Sequence, residues 1–111
     1  MDNSSEHRLQ YLNGLLKEDP RDPFVHYAIC LELKKSGDLH AMSSFLSLLE
    51  SFPDYLPGYY QAALFLAESG LMEKAAQIAE SGISLANIQK DFHALSELKS
   101  LRQNILAGEY D

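Results

Sequence analysis

The chain has no tryptophan, no threonine and a single valine, Val25. Strands draw on β-branched and aromatic residues, whereas this chain is rich in Ala, Leu, Glu, Lys and Gln, so intrinsic preference points to helix throughout. Cysteine is nearly missing too: Cys30 stands alone, which excludes an intramolecular disulfide and fits a reducing cytoplasm. Basic residues are scarce, 9 Lys and Arg against 16 Asp and Glu for a net charge of −7, and the longest basic cluster is Lys34–Lys35. Tracking a phosphate backbone needs clustered cations, so no nucleic-acid partner is expected, and an acidic surface disfavours anionic membranes. No apolar run approaches the ~20 residues that span a bilayer, and Met1 to His7 are polar, without a signal-peptide core.

Catalytic patterns are missing as well. The sequence has no glycine-rich phosphate loop and no Gly-x-Ser-x-Gly turn. Its four histidines, His7, His26, His40 and His93, form no ligand pair at helical spacing, and Cys30 has no second cysteine beside it. No enzyme activity, no metal and no cofactor are therefore expected. At 111 residues the chain is long enough to fold as one domain on apolar burial alone.

What the sequence does contain is a copy of itself. Pro20 recurs as Pro53, and Leu12, Leu15 and Leu16 map 33 residues on to Phe45, Leu48 and Leu49. After each proline, Tyr27, Leu31, Leu33 and Gly37 map by the same 33 to Tyr60, Leu64, Leu66 and Gly70. Beyond that glycine the offset becomes 34, pairing Ala41, Phe45 and Leu48 with Ala75, Ala79 and Gly82, a one-residue change in a surface turn. A period of this length signals stacked supersecondary units.

Six helices can be placed between the breakers. They run over about residues 4–18, 23–36, 39–51, 56–69, 72 to between 86 and 90, and 91–106. Asp22-Pro23 starts the second helix, Gly37 and Gly70 end the second and fourth, and Asp38 is expected to cap the third. Short connections make neighbours antiparallel. Small residues recur where helices would cross closely: Ala41, Ala62, Ala63, Ala75, Ala79 and, at a cost of about 1 kcal/mol in helix propensity, Gly82. The last helix begins Asp91-Phe92-His93-Ala94, echoing Asp38-Leu39-His40-Ala41, and so reads as a second-type helix serving as a cap.

This unit resembles the tetratricopeptide repeat, a helix–turn–helix of 34 residues with alternating large and small positions and a closing proline. The first complete unit supplies His26, Ile29, Cys30, Leu33, Ala41, Phe45, Leu48 and Pro53. The second supplies Tyr59, Ala62, Ala63, Leu66, Ala75, Ala79 and Gly82, with Asn87 where proline is usual. The resemblance implies an all-α fold, a right-handed superhelical array of antiparallel helix hairpins. It divides a single domain, 1–111, into a partial leading repeat (4–20), repeats at 22–54 and 55–87, and a C-terminal capping helix (91–106). It further implies a non-enzymatic adaptor or scaffold whose first-type helices line a concave, partner-binding groove. The inward residues would be Tyr27, Leu31 and Lys34 in the first repeat and Tyr60, Gln61 and Leu64 in the second, suited to a protein or peptide segment. The matching asparagine and arginine of a carboxylate clamp are missing. Alternative readings are a self-associating homodimeric module and a non-catalytic regulatory subunit of a larger complex. If the register is right, Ala75→Leu overpacks a helix crossing and costs about 1–3 kcal/mol; an unchanged melting temperature would contradict the register.

Overall fold

The computed structural model describes residues 3–108, and within them six helices follow one another with no strand. These are α1 (Asn3–Glu18), α2 (Pro23–Ser36), α3 (Ala41–Ser51), α4 (Pro57–Glu68), α5 (Met72–Gln89) and α6 (Phe92–Ala107). This is the all-α array of helical hairpins that the sequence predicts. The helices fall into two compact units, α1–α3 up to Phe52 and α4–α6 from Pro53 onward.

In the first unit α2 packs against both α1 and α3. Its start is set by Asp22, whose carboxylate accepts from the Phe24 amide at 3.0 Å, while Pro23 fills a first-turn position that needs no amide hydrogen. Its end is set by Gly37 in the left-handed region, φ 71°. There the Gly37 amide reaches the Lys34 carbonyl and the Asp38 amide reaches that of Leu33, closing the last turn. Val25, Cys30, Ala41, Phe45, Leu48 and Leu49 are buried, whereas Leu9, Leu12, Leu15 and Leu16 of α1 are only half-buried. α1 is instead tied to α2 by polar bonds around Glu32. Buried Ser5 donates to Glu32 Oε2 at 3.0 Å, and Arg8 donates to Oε1 at 3.2 Å.

α3 begins later than the sequence suggests. Asp38 accepts from the His40 amide at 2.8 Å and so closes a turn rather than capping a helix from Leu39, which is left 85% exposed. That same amide bond, aided by the His40 ring, holds the Asp38 carboxyl below its ordinary range.

In the second unit α5 packs against both α4 and α6, and α6 also touches α4. The small residues sit where the backbones come close: Ala62, Ala63, Ala75, Ala79, Gly82 and Ala86 are all buried. A methyl group built on Gly82 would lie 2.8 Å from Tyr59 Cβ and 3.1 Å from both δ-methyls of Leu98. Gly82 is thus the point of α5 on which α4 and α6 both close. α6 packs on α5, the helix before it, and also meets α4. The motif it shares with residues 38–41 is a start signal: Asp91 accepts from the Ala94 amide at 3.0 Å and says nothing about which face the helix buries.

The 33-residue period extends to individual hydrogen bonds. Asp19 N to Leu15 O (3.0 Å) matches Phe52 N to Leu48 O (2.8 Å), and the Gly37 and Asp38 bonds match Gly70 N to Ala67 O and Leu71 N to Leu66 O. The ring six residues after each boundary proline repeats as well. His26 Nε2 lies 2.8 Å from the Pro20 carbonyl, and the Tyr59 hydroxyl donates to the Pro53 carbonyl at 2.7 Å. A carbonyl oxygen only accepts, so this contact calls for the Nε2–H form of His26. The missing proline also has its consequence. With Asn87 in its place α5 runs on to Gln89 and stops at Lys90, which adopts φ 57°, and Gln89 reaches back to the Asp54 carbonyl at 2.9 Å.

Two glycine-to-alanine changes separate packing from propensity. Gly14 lies mid-α1 with nothing within 4 Å of an added methyl, so Gly14→Ala raises stability by about 0.5–1 kcal/mol. Gly82→Ala gains the same propensity yet lowers stability by about 1–2 kcal/mol, because Tyr59 Cβ is anchored to the α4 backbone. Melting temperatures of the two variants moving in the same direction would contradict the crossing.

Candidate functional site

The side chains expected to meet a partner divide between the units. Tyr27, Leu31 and Lys34 stand half-buried on α2, and Tyr60, Gln61 and Leu64 stand half-buried on α4. Within the second unit Tyr60 and Leu64 line a cleft of about 320 Å³ whose opposite wall is α6. The α6 wall is a single stripe, His93, Ser96/Glu97, Ser100 and Asn104, exposed at its rim, with buried Leu101 beneath. His93 and Glu97, one turn apart, are 3.2 Å from each other (Nε2 to Oε1). Gln61 does not line this cleft.

Packing at the crossing fixes these orientations. Tyr59 is held over Gly82 and bonded to Pro53, which leaves the next residue, Tyr60, about 100° further around the helix. Leu98 is held on the same glycine, and its neighbour Glu97 is turned to the cleft. Burial, and then the nearby Asp54 carboxylate, push the Tyr59 hydroxyl above the ordinary tyrosine range, so it remains a donor at neutral pH.

A cleft of the first unit opens on a different side. It has a volume of about 290 Å³, lies between α1 and α3 across His26, Ile29 and Cys30, and includes none of Tyr27, Leu31 and Lys34. Its α3 wall is a run of serines, Ser43, Ser44, Ser47 and Ser51, and the His26 ring rests on Phe52 with centroids 5.0 Å apart. Burial pushes the Cys30 thiol up to about 11, which suits a small apolar core group rather than a nucleophile or metal ligand. Among the described residues no group of three or more His, Cys, Asp or Glu comes together as a metal site would need, and no helix is long and apolar enough to cross a membrane.

The polar stripe of α6 carries no signal in the sequence. In the sequence it reads as the solvated side of an amphipathic helix, and only the placement of α6 against α4 makes it a wall.

No protein-family model matches the sequence, and no curated protein matches it. Solved structures do resemble the fold. A crystal structure of a tetratricopeptide repeat domain protein from Salinibacter ruber superposes with a TM-score of 0.74 at 28% identity, covering 79% of this chain and 100% of that one. A solution NMR structure of a tetratricopeptide repeat domain protein from the same organism gives 0.76 at 29% identity, covering 84% and 95%.

The burial of Cys30 can be checked chemically. At neutral pH a disulfide reagent such as Ellman's should label the native protein no faster than it unfolds, and label it at once in denaturant. Rapid stoichiometric labelling of the native state would contradict the assigned environment.

Proposed function

We propose that this chain, whose fold is similar to that of tetratricopeptide repeat domain proteins, works as a protein-interaction module that binds a polypeptide segment along its first-type helices. The observation that carries this reading is the α4/α6 cleft. It pairs an aromatic and an aliphatic side chain, Tyr60 and Leu64, with a rim of hydroxyl and amide groups. Clefts with an apolar floor and a few convergent polar groups are where ligands gather, and tyrosine gives large contact area for little entropy lost. In this reading Gln61 on α4 adds to the set, and Tyr27, Leu31 and Lys34 on α2 are the corresponding candidates of the first unit. The acidic net charge favours a protein partner over a nucleic acid, and the single buried thiol suits a reducing cytoplasm.

Panning a displayed peptide library against the immobilised protein tests the proposal. Peptides selected on the wild type should bind Tyr60→Ala about tenfold more weakly, a loss of about 1.4 kcal/mol, while helicity by circular dichroism is unchanged, because Tyr60 is only half-buried. Undiminished binding by the variant would remove the cleft from the site. Collapse of its helicity would make Tyr60 a core residue.

A further inference from the structure

The α4/α6 cleft has a sign of charge and a spacing, and both bear on what fits it. Glu97 is its only carboxylate, and no lysine or arginine lines it. Of the basic groups of α6, His93 lines the cleft with its Nε2 3.2 Å from Glu97 Oε1 and so already meets that carboxylate as a basic side chain would, Arg102 reaches Glu80 of α5 at 3.8 Å, and exposed Lys99 does not line the cleft. With a net charge of −7 behind it, the cleft complements a cation. The spacing comes from the helix. Ser96, Ser100 and Asn104 succeed one another every four residues, about 6 Å of rise, near the ~6.7 Å two-residue repeat of an extended chain. A strand-like segment laid along α6 could therefore set successive backbone groups against successive polar side chains. Alternate residues would point the other way, to Tyr60 and Leu64. A helical segment has already satisfied its backbone groups and makes no use of such a ladder.

We propose that the α4/α6 cleft takes an extended peptide segment in which a basic side chain paired with Glu97 alternates with an apolar or aromatic side chain seated between Tyr60 and Leu64. The inference rests on the polypeptide-binding reading above and gives it a partner chemistry.

Fluorescence anisotropy at low salt with two labelled probes tests it: Gly-Ser-Phe-Lys-Leu-Lys-Gly-Ser and its twin with both lysines replaced by glutamate. The wild type should favour the lysine probe by about tenfold. Glu97→Lys should abolish or reverse that preference and Glu97→Gln should reduce it. Glu50→Lys, which alters the net charge equally from an exposed position on α3, should leave it in place. Tyr60→Ala should weaken both probes alike. Equal affinity for the two probes, or a preference that survives Glu97→Lys, would overturn the partner chemistry alone. Binding that ignores Tyr60→Ala, or no binding of either probe, would overturn the cleft as a site.

Discussion

The second unit depends on a single steric constraint: α4 and α6 press on the same residue of α5, and only glycine leaves them room. Tyr59 and Leu98 meet at Gly82 within distances that a side chain there could not share. The constraint sets more than stability. It fixes α6 against α4 as well as α5, and it fixes the rotation of both helices. The residues next along the chain, Tyr60 and Glu97, are then turned to the cleft. The core contacts and the candidate binding contacts are thus sequence neighbours, and the second pair inherits its geometry from the first. Repeat folds favour this economy, since each hairpin must bury its apolar flank on the next helix and so aims its other flank outward.

The first unit solves the same problem with different chemistry. α1 contributes only half-buried leucines, and its attachment to α2 runs through Glu32, shared by Ser5 and Arg8. Where the second unit has Tyr59 donating to Pro53, the first has His26 at Pro20. A ring donor closing on the carbonyl of the loop proline is therefore a property of the repeat rather than of either side chain. The two rings differ in one respect: imidazole has tautomers to choose between, while the phenol does not.

Most of the fold could be read in advance because its signals are local. Asp22-Pro23, Gly37, Gly70 and the prolines are start and stop residues with known backbone preferences, and the small residues at 62, 63, 75, 79 and 82 announce a close crossing without saying which helix closes on it. What escaped the sequence is what depends on tertiary placement. Asp91-Phe92-His93-Ala94 repeats the start chemistry of residues 38–41, which sets where α6 begins but not that the helix meets α4 as well as α5 and buries Leu98, Leu101 and Ile105. The α6 stripe of Ser96, Glu97, Ser100 and Asn104 has no signature because polar residues on a helix are the ordinary solvated side. The aromatic half of the candidate site, Tyr60 with Leu64, was legible through the repeat register.

The most direct measurement of the account is the set of nuclear Overhauser contacts made by the two α-protons of Gly82 in solution. The account predicts strong contacts from these protons to the Tyr59 β-protons and to both Leu98 methyl groups in the same spectrum. Contacts to Tyr59 without any to Leu98 would mean that α6 does not close on α5 at this point, and the cleft built on that closure would fall with it.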